Sequence, residues 1–233
     1  MSAENVQKER PRNLAELAAS VGPPFNDESV LHTFSLLASE LSYNLHEYDV
    51  VIGDDASARL PAMVYWRMIN RARQGEGLSR AEMRFANGRS REDFPSGFLP
   101  KAKPGSRALI LTEYIFSGRS AMNLYEAAAN HRSGNVIDIA ALSISETYKK
   151  RRHQRLHMSP HAKLYQTGAG DNFVARIHSH SHPEVKRALG VEKEERELFS
   201  HRSTISNMTE IRRARTDVGK VANYLYEDTI LHI

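Results

Sequence analysis

The chain has 233 residues, 40% hydrophobic and 26% charged, with 13 Gly and 9 Pro, a globular composition long enough to bury its own core. It contains no Cys, which excludes disulfides, thiolate metal sites and a cysteine nucleophile. The net charge of +4 is unevenly spread: residues 1–48 carry −4, residues 49–145 carry +3 and residues 146–233 carry +5. A basic centre and tail behind an acidic start suits an anionic ligand, phosphate or nucleic acid, and suits a solvated mixed surface nearly as well. No apolar run approaches the roughly 20 residues of a membrane span. The start, MSAENVQKERPRN, lacks the apolar centre of a signal peptide. The expectation is a soluble, cytoplasmic protein.

Asn13 to Ala19 reads as a short helix, closed by Val21-Gly22-Pro23-Pro24. Asp27 then has the character of an N-cap, and Val30, Leu31, Phe34, Leu37, Ala38, Leu41 and Leu45 recur at helical spacing. Asp49-Val50-Val51-Ile52 is a strand that stops at Gly53, before Asp54-Asp55-Ala56-Ser57 and a helix with Leu60, Met63, Val64 and Met68 on one side. From Gln74 to Ser106 about thirty residues pass with scattered Gly, Pro and Ser, longer than an ordinary loop. Carrying Arg80, Arg84, Arg89 and Arg91, this segment has the character of a lid over an anion; a hairpin insertion is the alternative. Arg107 to Leu111 is a second strand, followed by Thr112 to Ser120 and a helix with Ala121, Leu124, Tyr125 and Ala128 on one face. Asn135 to Leu142 is a third strand, Asn172 to Ile177 a fourth, and Arg212 to Leu231 a closing helix.

Strands that are continuous apolar runs, alternating with helices, imply an α/β fold with a parallel sheet covered on both faces. The expected organisation is one domain over 1–233: an N-terminal helical segment (1–48), a core with both ligand loops (49–145) and a basic, helical C-terminal segment (146–233).

The most specific signal is the strand–loop–helix from Arg107 to Ala129. Small and hydroxylated residues opening a helix leave backbone N–H groups convergent, with the helix dipole behind them, which makes a phosphate cradle. Open α/β sheets place ligands at that end of a parallel strand. Leu109-Ile110-Leu111-Thr112-Glu113-Tyr114-Ile115-Phe116-Ser117-Gly118-Arg119-Ser120 resembles the signature of the type I phosphoribosyltransferases: four apolar residues, two acids, two apolar residues and a Thr/Ser-rich glycine loop. Upstream, Val50 to Ala62 resembles the pyrophosphate loop of the same family, and the two stand in the family's order.

The resemblance implies a phosphoribosyltransferase-like fold that binds phosphoribosyl pyrophosphate or a nucleotide. Ser117, Gly118, Arg119 and Ser120 would hold the 5-phosphate, Glu113 a ribose hydroxyl with catalytic importance, and Thr112 stands beside it. Gly53, Asp54, Asp55, Ala56 and Ser57, with Arg59, would hold pyrophosphate and Mg²⁺, and Arg84 and Arg89 would close from the lid. The implied reaction is transfer of phosphoribose between pyrophosphate and a nitrogenous base, with a homodimer as the assembly carried along. Two departures stand out: Thr112 replaces the family's first acid, and Phe116 fills a position usually small. Losing an acid raises a rival reading from another class, a non-catalytic module that senses a nucleotide or holds RNA.

Two further features stay outside this scheme. His178, His180 and His182 share one face if extended and so resemble a metal triad, yet the Ser-x-x-Asp that zinc deubiquitinase-type hydrolases place after such a run is missing, so no metal ligand is assigned. The run Lys149-Lys150-Arg151-Arg152-His153-Gln154-Arg155 fits a nucleic-acid backbone or a solvated linker. Gly168-Ala169-Gly170 is no dinucleotide fingerprint, because Phe173 stands where the third Gly belongs.

Overall fold

The structure is a computed structural model that describes residues 11–54, 58–86, 107–115, 117–131, 136–145, 148, 158, 161–167 and 208–230. Its strands are β1 (Tyr48–Asp54), β2 (Glu82–Ala86), β3 (Arg107–Ile115), β4 (Val136–Ile144) and β5 (Leu164–Gln166). Its helices are α1 (Leu14–Ser20), α2 (Glu28–Leu41), α3 (Arg59–Gly75), α4 (Arg119–His131) and α5 (Met208–Ile230), with a 3₁₀ turn at Ser42–Glu47. The strands form one sheet in the order β2-β1-β3-β4-β5, and every pairing is parallel. This is an α/β protein.

Strand alternation sorts the core into two layers. Val51, Leu109, Leu111, Ala140 and Leu142 join α1, α2, α3 and α5 on one face. Val50, Ile52, Ala108, Ile110, Ile137, Ile139 and Ala141 join α4 on the other. Both faces of β1, β3 and β4 are therefore buried, which is why these strands read as nearly continuous apolar runs, interrupted in β4 by Asp138. The early helices begin at the residues the sequence marks. Asn13 accepts from the Glu16 N–H at 2.9 Å, and Asp27 accepts from the Ser29 N–H at 2.9 Å, each satisfying a helix-start donor. Phe34 stacks on Tyr65 at 5.8 Å between centroids, and the Tyr65 hydroxyl donates to the Phe34 carbonyl, riveting α2 to α3.

One expectation changes. Part of the segment read as a lid, Glu82–Ala86, is an edge strand paired to β1, with Gly53 opposite Phe85. Its first four residues alternate between exposed and half-buried and only Ala86 is buried, so no apolar run advertises it. The last strand described is Leu164–Gln166, while Asn172 to Ile177 lies outside the described residues. Among the described residues no helix is long and apolar enough to cross a membrane.

The amino end of the sheet is tied by one carboxylate. Asp138, with 0% exposure, accepts from the Tyr48 hydroxyl at 2.7 Å, from Arg107 Nη2 at 2.7 Å and from the Lys163 N–H at 2.7 Å. Arg107 also reaches Glu47 at 3.0 Å. Burial, followed by the Asp138 charge, holds the Tyr48 phenol protonated well above its ordinary range. Burial alone would lower the Arg107 pKa, but hydrogen bonding and charge from Asp138, with Tyr48 and Glu47 adding, raise it. Arg73 donates to the carbonyls of Ser79, His46 and Tyr48, closing the same end beneath α3.

Removing one partner of a buried ion pair costs about 3–5 kcal/mol, because the other charge stays buried. Asp138→Ala should lose about that much in urea unfolding, and Asp138→Asn, which keeps an acceptor, distinctly less. A loss below about 1 kcal/mol for Asp138→Ala, the range of an exposed pair, would contradict this role.

Candidate functional site

The strand order reverses between β1 and β3. The chain leaves β1 into α3 on one face and leaves β3 into α4 on the other. Where successive crossovers part in this way, the carboxyl ends of the two strands open a crevice, the usual ligand position of an open parallel sheet. β1 brings Gly53 and Asp54 to it, and β3 brings Thr112 and Glu113.

A carboxylate and two hydroxyls meet there. Ser120 Oγ, in the first turn of α4, shares its proton between the Asp54 oxygens at 2.9 and 3.0 Å. Thr112 Oγ1 donates to Asp54 Oδ2 at 3.2 Å. Asp54 is 8% exposed and Glu113 2% exposed, so both acids are withdrawn from water. By alternation, Asp54 and Thr112 face α4, whereas Glu113 follows Leu109 and Leu111 to the α3 face. The start of α4 also favours a carboxylate through its exposed N–H groups and dipole.

The loop before α4 turns on Gly118, whose φ is +78°. A residue with a Cβ is strained there, so glycine is required by the backbone whatever the loop binds. The Gly118 carbonyl accepts from the Met122 N–H at 2.9 Å, starting the helix. Ser117 Oγ accepts from the Arg119 N–H at 3.4 Å, and both side chains lie at the surface.

Gly53 answers to packing. A Cβ built on it would lie 2.6 and 2.7 Å from Phe85 ring carbons and 3.2 Å from the Ala62 Cβ. The Phe85 ring fills the space a side chain would take, and it carries the Arg59 guanidinium 5.0 Å above its centroid. Arg59 is thereby fixed at the head of α3, beside the crevice.

No protein-family model matches the chain, and no curated protein matches it. Among solved structures it is similar to the purine phosphoribosyltransferase from Pyrococcus horikoshii Ot3. That likeness has 14% identity and a TM-score of 0.35, over 58% of this chain and 81% of that one. A likeness at this level fixes no function.

The structure thus brings Gly53, Asp54, Arg59, Thr112, Glu113, Gly118 and Ser120 to one end of two adjacent strands. It does not bring Arg84 to the Asp54 cluster; that side chain is exposed on β2 and paired with Glu82. Asp55, Ala56, Ser57, Arg89, Phe116, the Lys149–Arg155 run, His178, His180 and His182 lie outside the described residues. Ser120, expected on a phosphate, directs its hydroxyl to Asp54. Phe85 escaped the sequence reading, although a glycine ending an apolar strand marks a close approach by some neighbour.

Overpacking of this kind costs about 1–3 kcal/mol. Gly53→Ala should destabilise by that amount, and adding Phe85→Ala should return part of the loss, a coupling of about 0.5 kcal/mol or more. Strict additivity in thermal or urea unfolding would show that Phe85 does not set the glycine requirement.

Proposed function

We propose that the crevice between β1 and β3 binds a 5-phosphorylated ribose, as phosphoribosyl pyrophosphate or a nucleotide, and that the protein transfers phosphoribose between pyrophosphate and a nitrogenous base. The observation that supports this most is one conjunction. A helix start opened by left-handed Gly118 adjoins one buried acid, Asp54, and a second buried acid, Glu113, ends the neighbouring strand on the other face, at the point where the strand order reverses. Backbone N–H groups at the head of α4 favour the 5-phosphate, as the resemblance of Ser117 to Ser120 implies. Glu113 would take a ribose hydroxyl. Arg59, held on the Phe85 ring, would offer a fixed positive charge to the pyrophosphate. In this reading the protein neutralises the leaving group and shields the sugar cation from water, and needs no covalent nucleophile.

Mg²⁺ fits this donor set as an ion that arrives with the ligand's phosphates. Such sites commonly use one or two carboxylates, with phosphate and water completing the shell. Asp54, against the head of α4, is the carboxylate that would hold it. Bound there, the ion would supply charge neutralisation for the pyrophosphate.

A specific observation favours the second reading, non-catalytic nucleotide sensing. The hydroxyls of Thr112 and Ser120 are both committed to Asp54, so two groups otherwise available to a ligand satisfy an internal carboxylate. Titration calorimetry with phosphoribosyl pyrophosphate, with and without Mg²⁺, tests binding, and pyrophosphate release over a panel of bases separates the readings. Mg²⁺-dependent binding with release supports the enzyme; binding without release supports the sensor; no binding overturns both. The acid can also be moved. Thr112→Asp alone places a second carboxylate beside Asp54 and removes a donor, so binding should weaken by roughly ten- to a hundredfold, the equivalent of about 1.5–3 kcal/mol. The exchange Asp54→Thr with Thr112→Asp restores one acid and one hydroxyl and should recover most of it. Equal loss in both variants would show that the pair does not act as a unit.

A further inference from the structure

A second surface, away from the crevice, is marked by a group of arginines of which three have no ion-pair partner among the described residues. Arg212 and Arg215 are exposed on α5, and Gly219 follows on the same helical row. Arg67 of α3 lies across that glycine, with its Nη1 2.7 Å from where a Cβ would be. One turn on, Arg71 of α3 reaches the Asn223 carbonyl and pairs with Glu227. The seam between α3 and α5 therefore carries Arg67 and Arg71 across it, and Arg212 and Arg215 precede it on the same row of α5. The row spans 212 to 223, about 16 Å at 1.5 Å per residue.

Arg67, Arg212 and Arg215 have no ion-pair partner among the described residues, and all three are exposed. The neighbouring acids are engaged elsewhere. Asp217 is 6% exposed and accepts from the Gly22 N–H at 3.1 Å, and Glu227 holds Arg71. Gly219 leaves open the space that the Arg67 guanidinium occupies. A row built for stability alone would alternate charges at helical spacing.

We propose that this arginine row binds the phosphate backbone of a nucleic-acid duplex, without reading its sequence. Guanidinium groups pair with phosphate oxygens in bidentate fashion, and about 16 Å of row spans roughly five phosphates at about 3.4 Å of axis each. The row offers no exposed aromatic ring for unpaired bases, since Arg71 covers Tyr226 at 4.7 Å, so a duplex is favoured over a single strand. It offers no exposed large apolar side chain: those among the described residues are Leu36, Tyr43 and Leu78, none of them on α5. That argues against a membrane surface and against a protein partner anchored by hydrophobic contacts. The proposal does not depend on the reading of the crevice.

The test is fluorescence anisotropy of the full chain with a labelled mixed-sequence duplex of about 20 base pairs, in DNA and RNA forms, from about 50 to about 200 mM salt. Three phosphate contacts, from Arg67, Arg212 and Arg215, give a slope near −2.7 in log affinity against log salt, and so a loss of about fortyfold across that range. Arg67→Ala, Arg212→Ala and Arg215→Ala together should flatten the slope by about three and weaken binding at low salt at least tenfold, with circular dichroism unchanged. The three lysine replacements should keep most of the slope, which separates lost charge from lost structure. The proposal is overturned if the triple alanine variant binds like the parent, or if no duplex binds at low salt. Tighter binding to single strands, to anionic vesicles or to polyglutamate would overturn it as well.

Discussion

One buried carboxylate ties four of the five strands together at their amino ends. Asp138 receives hydrogen bonds from Tyr48 at the head of β1, Arg107 at the head of β3 and the Lys163 N–H just before β5. Parallel strands gain no register from a tight hairpin, because each is reached by a long crossover. A charge that must be satisfied inside the core imposes that register, since a slipped strand would leave it buried and unpaired. Fixing the amino ends together also fixes the carboxyl ends. Asp54 and Thr112 finish side by side because Gly53 stands opposite Leu111 and Ile52 opposite Ile110.

The carboxyl end carries an electrostatic tension that the amino end lacks. A helix start with Gly118 in the left-handed region is a place for an anion, yet Asp54 already directs its own carboxylate to Ser120 in the first turn. A phosphate arriving there meets attraction from backbone N–H groups and repulsion from the acid. The two are reconciled if the ligand also brings a cation or hydroxyl groups, as a phosphorylated sugar does. The same geometry accounts for a hydroxyl at Thr112. A carboxylate at that position would stand against Asp54, and the threonine donates to it instead.

Much of this was legible in the sequence where one local rule decided the outcome. Asn13 and Asp27 announced their helices through cap chemistry, and the apolar runs through Val50 to Ile52, Leu109 to Leu111 and Ile137 to Leu142 announced doubly covered strands. β2 is not legible in the sequence, because an edge strand with only Ala86 buried has no apolar run to display. Asp138 was passed over within its strand, because nothing nearby in sequence foretells that Tyr48, 90 residues away, and Arg107 will meet it. The Asp54–Ser120 contact spans 66 positions and the Arg67–Gly219 contact joins two distant helices. Residue types were readable; partners separated by whole elements were not.

The central claim is that a 5-phosphorylated ribose sits at the β1/β3 crevice against the head of α4. Backbone amide chemical shifts, recorded with ribose 5-phosphate and then with unphosphorylated ribose, test it most directly. The account predicts the largest shifts at Gly118 to Ala121 and at Asp54, present with the phosphorylated sugar and nearly absent without the phosphate. Shifts that fall elsewhere in the sheet, or that are the same for both sugars, would contradict it.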